Sequence, residues 1–162
     1  MDWASIGALG AFLAANFVTG LSGAVFTPGE WYENLRHPSW RPPNFLFPVV
    51  WTVLYVMMAV SGWLVWEASG TAATAALVVY AVQLALNFAW SAIFFGLHRP
   101  AWALAELAAL WVSIVAVMVL FFPHSETASW LLAPYLAWVS FAGVLNYVMW
   151  KLNPDAHLRV AA

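Results

Sequence analysis

Five runs of predominantly apolar residues fill most of the chain: Ala4 to Phe26, Leu46 to Trp66, Ala72 to Leu97, Ala101 to Phe122 and Trp130 to Leu152. A helix that crosses the hydrocarbon core of a bilayer needs roughly 20 such residues. No water is available there to satisfy backbone N–H and C=O groups, so each run must bond within itself as a helix. Charged residues make up only 7% of the 162 and hydrophobic ones 65%, whereas about a quarter of a soluble domain is charged. The expected fold is an all-α membrane protein, a single domain over residues 1–162 built as a bundle of five transmembrane helices. No soluble domain or low-complexity tail remains between the runs. Met1-Asp2-Trp3 lacks the basic stretch and small-residue cleavage site of a signal peptide, so the first run is expected to be retained.

The connections carry the breakers. Three are short, around Ser69-Gly70-Thr71, His98-Arg99-Pro100 and Pro123-His124-Ser125, and one is long and polar, Thr27 to Phe45. Pro48 sits in the first turn of the second span, where a missing N–H costs little, and Pro134, a turn inside the fifth, is expected to bend it. With five crossings, Arg36, Arg41, Arg99, Lys151 and Arg159 all fall on one side. The positive-inside rule makes that side cytoplasmic, with the N-terminus outside and the C-terminus and the long loop inside. The formal charge of −2 offers no basic footprint for nucleic acid. With no cysteine there are no disulfides, thiol nucleophiles or thiolate metal sites.

Twelve tryptophans are distributed unevenly in depth. Trp3, Trp63, Trp66, Trp102, Trp130 and Trp150 sit near helix ends, as an interfacial belt requires. Trp51, Trp90, Trp111 and Trp138 lie inside spans, where an indole N–H needs a partner or the ring needs something to lie against. At about 1.5 Å per residue, Trp51 and Trp90 are roughly 8 to 11 Å from the inner ends of their helices. Thr19, Ser22, Tyr55, Asn87, Ser91 and Asn146 share that half of the membrane, and Asn16 and Gln83 lie close to the midplane. Such polar groups either glue helices together or line a cavity, and their concentration with indoles at one depth favours the cavity.

On the third span, at 100° per residue, Tyr80, Gln83, Asn87, Trp90 and Phe94 share one arc, and Ala81, Ala85, Ala89 and Ala92 the opposite one. The alanine ladder, Ala81, Ala85 and Ala89, suits a close helix contact and is expected to be a homodimer seam, with contact to another helix of the same chain as the alternative. At i, i+4 spacing Trp51 stacks under Tyr55 and Trp138 lies next to Ala142.

WYENLRHPSWRPPNFLFPVVWTVLY, QLALNFAWSAIFFG and PYLAWVSFAGVLNYVMWKLN, in this order over nearly the whole chain, resemble the TspO/MBR family of tryptophan-rich sensory proteins and translocator proteins. The resemblance implies a multi-pass protein of a bacterial cell membrane, commonly dimeric, that requires no cofactor and binds porphyrins such as protoporphyrin IX beneath the first loop, which acts as a lid. Its pocket positions fall here on Tyr32, Trp51, Asn87, Trp90, Trp138 and Ala142. Trp40, Tyr55, Gln83 and Phe94 join them as expected ligand contacts, with Trp31, Arg36, His37 and Arg41 at the rim. There the cations are expected to meet ring propionates or, equally, lipid headgroups. Ser91-Ala92 follows Trp90 where some relatives carry prolines, which predicts a straighter inner end for the third helix. Leu145, Tyr147 and Lys151 fit the cholesterol motif of animal relatives, a weak pattern for which an interfacial Tyr-Trp-Lys anchor is the favoured reading.

Other chemistry is sparse. His37, His98, His124 and His157 fall in loops or the tail without metal spacing, which favours a metal-free tetrapyrrole over iron ligation. Glu106, the carboxylate well inside a span, is expected to pair with Arg99 or a neighbouring helix rather than to relay protons. No catalytic triad, P-loop or dinucleotide fingerprint is visible. Three functions remain: a tetrapyrrole receptor, sensor or carrier; a light- and oxygen-dependent porphyrin-degrading enzyme using Trp51 and Trp138; and a tetrapyrrole or sterol transporter, ranked last because no inverted repeat or broken-helix pair is present.

Overall fold

The structure is a computed structural model that describes residues 2–156, and all regular structure among them is helical. His157 and Arg159 lie outside the described residues. Asp2 caps the first helix, α1 (Trp3–Gly20), by accepting a hydrogen bond from the Ser5 N–H at 2.8 Å. A single turn residue, Leu21, leads into the one-turn α2 (Ser22–Val25). The long loop holds another single turn, α3 (Glu30–Glu33).

Four helical stretches are long and apolar enough to cross a membrane, and one of them runs 51 residues, Leu46–Gly96. It folds back on itself at Gly70, whose φ of 50° is a conformation that a side chain disfavours. The result is two antiparallel helices, α4 (Leu46–Ser69) and α5 (Thr74–Ser91), joined by a 3-10 turn over Gly70–Ala73. Bonds from Tyr80 Oη to the Met58 carbonyl (3.0 Å) and from Tyr55 Oη to Asn87 Oδ1 (2.8 Å) tie the pair together. The bundle therefore has five membrane-length helices, completed by α6 (Pro100–Phe121) and by α8 (Ala133–Leu152), which the short α7 (Glu126–Leu131) precedes.

Two local expectations are corrected. Pro134 does not bend a continuous fifth helix: the helix breaks at Leu132 and restarts with Pro134 in its first turn, where its missing N–H is harmless and its ring clears the carbonyl four residues back. The inner end of the third span is not straight either. Without proline it widens into a π turn over Ala92–Gly96, with the Leu97 N–H bonded to the Ala92 carbonyl at 2.8 Å.

Helix α1 packs along α4, α5 along α6, and α6 along α8. Gly62 permits the first contact, since a Cβ there would lie 2.7 Å from the Phe12 ring. α7 closes the end away from the long loop: Ser61 donates to its Ala128 carbonyl (2.7 Å), and its Ser129 donates to the Met118 carbonyl (2.8 Å). Here Met58, Ile114, Phe121 and Tyr135 are fully buried, and the bundle is solid. Toward the loop α4 and α8 meet through rings, Phe47 on Trp138 (5.8 Å) and Trp51 on Tyr135 (6.1 Å), and the interior opens. Arg36, Arg41, Arg99 and Lys151 gather at this same end, because Arg36 is bonded to Asn153 at the end of α8 and His98 beside Arg99 meets Trp31 of the loop at 4.4 Å.

Candidate functional site

The loop half of the bundle encloses a cavity of about 830 Å³, within the 300–1,000 Å³ usual for small-molecule sites. Trp51 and Tyr55 enter from α4, stacked at 5.4 Å as their i, i+4 spacing dictates. Asn87 and Trp90 enter from α5 with Phe94 of the π turn, and Trp90 stacks on Phe94 at 5.1 Å. Trp138 and Ala142 come from α8. Buried Tyr32 of α3 forms the wall next to the loop, edge-on to Phe94 and Phe95. Eight of the ten expected ligand contacts thus converge: Tyr32, Trp51, Tyr55, Asn87, Trp90, Phe94, Trp138 and Ala142.

The other two do not reach the cavity. Trp40 lies outside it, 46% exposed, edge-on to Phe141 at 5.9 Å. Gln83 shares the arc of Asn87, but a turn and more deeper its Nε2 is spent on the Tyr135 hydroxyl (2.6 Å) against Met58. The third-span arc thus divides. Tyr80 and Gln83 belong to the solid core, and Asn87, Trp90 and Phe94 to the cavity.

Asn87 is held by both functions of its amide. Tyr55 donates to Oδ1 (2.8 Å), and Nδ2 donates to the Tyr135 hydroxyl (2.8 Å), which also accepts from Gln83. This network fixes three helices against one another at the roof of the cavity. Other wall groups are unpartnered: the buried Nε1 of Trp90 and of Trp138, Oδ1 of Asn146 and Oδ1 of Asn16 have no hydrogen-bond partner. Asn16 Nδ2 is committed to the Phe12 carbonyl and to the Tyr80 hydroxyl, so its orientation is set and its oxygen is left free. A buried polar group left unpaired costs about 1–3 kcal/mol. Four such groups belong to residues that line one space, each atom itself covered by its neighbours. Trp111, by contrast, donates to Ser140 (2.9 Å) and is interhelical glue.

No charged side chain among the described residues lines the cavity. The expected rim residues sit behind Tyr32 instead. The Arg41 guanidinium lies over the Tyr32 ring at 5.6 Å with Nη1 3.3 Å from His37 Nε2, and the His37 ring packs on Tyr32 at 4.8 Å. Partial burial, and then the Arg41 charge, push the His37 pKa below 6.5. Arg36 points outward, and Trp31 donates to the Ala156 carbonyl (2.9 Å). Glu106 departs further from expectation: neither Arg99 nor a neighbouring helix partners it, and both carboxylate oxygens are buried without a hydrogen bond. In the sterol motif Leu145 lines the cavity, while Tyr147 is exposed on the other face of α8 beside Lys151, whose Nζ lies 5.7 Å from the Tyr147 ring.

Sequence reasoning did not assign Asn16 or Asn146 to the cavity wall, although both stood out as amides within spans. It also missed Phe47 and Met149, for which no signal beyond apolarity exists.

Fold and site together define an all-helical membrane protein with an aromatic, uncharged cavity in one half of its bundle. The profile of the TspO/MBR family matches residues 10–151, and the chain belongs to that family. It is 44% identical to Protein CrtK of Rhodobacter capsulatus over 148 residues, 88% of this chain and 91% of that one. It is 40% identical to the Tryptophan-rich sensory protein of Cereibacter sphaeroides over 94% of both chains. With the Translocator protein of Homo sapiens it shares 40% identity over 90% of this chain and 84% of the human one.

Proposed function

We propose that the protein is a membrane receptor, sensor or carrier that binds protoporphyrin IX or a similar flat apolar molecule in the cavity. The observation that carries this reading is the wall itself: large rings from three helices around an uncharged space, with two buried indole N–H groups and two amide oxygens unpaired. Aromatic faces suit a planar macrocycle. The Arg41 guanidinium, over the Tyr32 ring with His37 beside it, is in place for a carboxylate that projects past the loop end. In this reading residues 27–45 act as a lid, and the end that gathers the cations faces the cytoplasm of a bacterial cell. The N-terminus is then outside. Ala81 and Ala85, exposed, and Ala89, half-exposed, form the seam of a homodimer.

A second reading, photo-oxidative breakdown of the bound porphyrin, is favoured by the stacked Trp51–Tyr55 pair and by Trp138, oxidisable rings in contact with the guest. One experiment separates the two. Purified protein is titrated with protoporphyrin IX in dark and illuminated arms. Binding alone gives saturable quenching with the porphyrin recovered unchanged, and breakdown gives a new product in the light that depends on oxygen and on Trp138. The absence of saturable quenching in the dark contradicts both.

A further inference from the structure

The wall of the cavity is buried on the side of α5, α6 and α8 and borders the outer surface mainly on the side of α1, α2 and α4. Its contributors from α5, α6 and α8, such as Asn87, Leu110, Val139 and Asn146, are buried. On the side of α1, α2 and the loop-side half of α4, Asn16 and Ser22 are buried but several other lining residues face outward: Phe17 is 67% exposed, Leu21 40% and Val56 48%, and Ala24, Pro48 and Thr52 are exposed as well. A side chain that borders both an interior space and the outer surface marks an opening. This one lies between α1/α2 and α4.

Its cause is local. Gly20 meets the Tyr55 ring, and a Cβ there would lie 3.0 Å from it. That contact fixes the antiparallel register of the two helices, and a Cβ added at Gly23, three residues on, would meet nothing within 4 Å. Beyond it α1 ends, the chain turns at Leu21, and Gly23 and Ala24 put too little bulk opposite α4 to fill the cleft.

The other approaches are more obstructed, although Pro28 and Asn44 of the loop also line the cavity and are exposed. Between α4 and α8 a separate surface groove is lined by Val50, Val53 and Phe141, and the ring pairs Phe47–Trp138 and Trp51–Tyr135 stand between it and the cavity. At the loop end Trp31 bonds the Ala156 carbonyl, and Asn153 holds both backbone groups of Arg36, its Oδ1 accepting from N–H and its Nδ2 donating to C=O, each at 2.9 Å. We propose that the cavity is filled sideways, from the hydrocarbon of the loop-side leaflet through the cleft between α1/α2 and α4, while the loop stays docked. The inference rests on the reading that the cavity binds a flat apolar molecule, which by its chemistry is already dissolved in that leaflet. It makes the bilayer the source of the guest and leaves the loop as a lid that stays shut while the cavity fills.

The test uses the full chain in phosphatidylcholine nanodiscs with protoporphyrin IX in the dark, followed by porphyrin fluorescence after rapid mixing. Thr52→Trp and Ala24→Trp narrow the cleft, and Asn153→Ala frees the loop. An obstructed passage raises the barrier in both directions, so each narrowing variant is expected to slow association and dissociation alike, about 10-fold or more, whereas a mere loss of wall contacts would speed dissociation. Asn153→Ala is expected to leave both rates within about 2-fold of the unaltered protein. At fixed total porphyrin the association rate rises with the porphyrin-to-lipid ratio. Faster association in Asn153→Ala, or unaltered rates in both narrowing variants, overturns the sideways route in favour of the loop. Absence of saturable binding in the unaltered protein overturns instead the reading on which the route rests.

Discussion

Tyr135→Phe removes the oxygen atom that two buried amides share as acceptor. Tyr135 is fully buried, and its oxygen accepts from Gln83 Nε2 at 2.6 Å and from Asn87 Nδ2 at 2.8 Å. The ring stays, so its packing on Trp51 is retained; what changes is that two amide donors lose their acceptor. Interhelical hydrogen bonds within membranes average about 0.6 kcal/mol and reach about 1.7, and an unsatisfied buried donor in a protein costs about 1–3 kcal/mol. Two bonds therefore place the expected loss at about 1–3 kcal/mol. Unfolding by sodium dodecyl sulfate from mixed micelles, followed by tryptophan fluorescence, measures it. The triple variant Tyr135→Phe, Gln83→Met, Asn87→Leu removes both amide donors with their acceptor, leaves the Tyr55 hydroxyl as the one member of the network without its partner, and is expected to recover part of the loss. A Tyr135→Phe protein as stable as the parent, or a triple variant less stable than the single one, refutes the reasoning that this network joins α4, α5 and α8.

Gly62→Ala sets a methyl 2.7 Å from Phe12 and is expected to cost about 1–3 kcal/mol in the same assay by overpacking the α1–α4 seam; a stability unchanged by it means that Phe12 moves freely. Ala142→Thr adds bulk to the wall beside Trp138 and is expected to weaken porphyrin binding about 5- to 30-fold, from about 1–2 kcal/mol of crowding, with unfolding unaltered. His37 is held below its ordinary value by burial and by Arg41, so the docked loop binds fewer protons than a released one. Docking accordingly strengthens as pH rises through the window just below 6.5 and weakens as pH falls through it. Imidazole resonances followed by nuclear magnetic resonance should show a midpoint below 6.5 that rises in Arg41→Gln; a midpoint at or above 6.5 in the parent contradicts this.

Much of the architecture was legible because hydrocarbon imposes a length on every span, and Gly70, Pro100 and Pro123 mark the turns between them. The stacking of Trp51 under Tyr55 followed from helical spacing alone, and the arc of Asn87, Trp90 and Phe94 faced the cavity as periodicity required. What periodicity could not provide was the partner across the gap. Gln83 shares a face with Asn87, yet Tyr135, 52 residues further along the chain, takes its donor and keeps it in the core. Trp40 was grouped with the ligand contacts because it lies in the loop, but its ring packs edge-on to Phe141 outside the cavity, a contact far along the chain that no local pattern announces. Helix-terminus irregularity was equally hidden: nothing in AIFFG announces a π turn, and Pro134 alone does not distinguish a bend from a break at Leu132. Glu106 was expected to find a partner because a buried carboxylate usually does, and its neighbours supply none.

The most direct measurement is an equilibrium titration of the purified protein with protoporphyrin IX in the dark, repeated for Trp51→Phe and Trp138→Phe. The account predicts saturable tryptophan quenching at one porphyrin per chain, with affinity lowered in each variant because each loses an indole from the cavity wall. Affinity unchanged by both substitutions, or quenching that never saturates, contradicts a porphyrin site in the cavity.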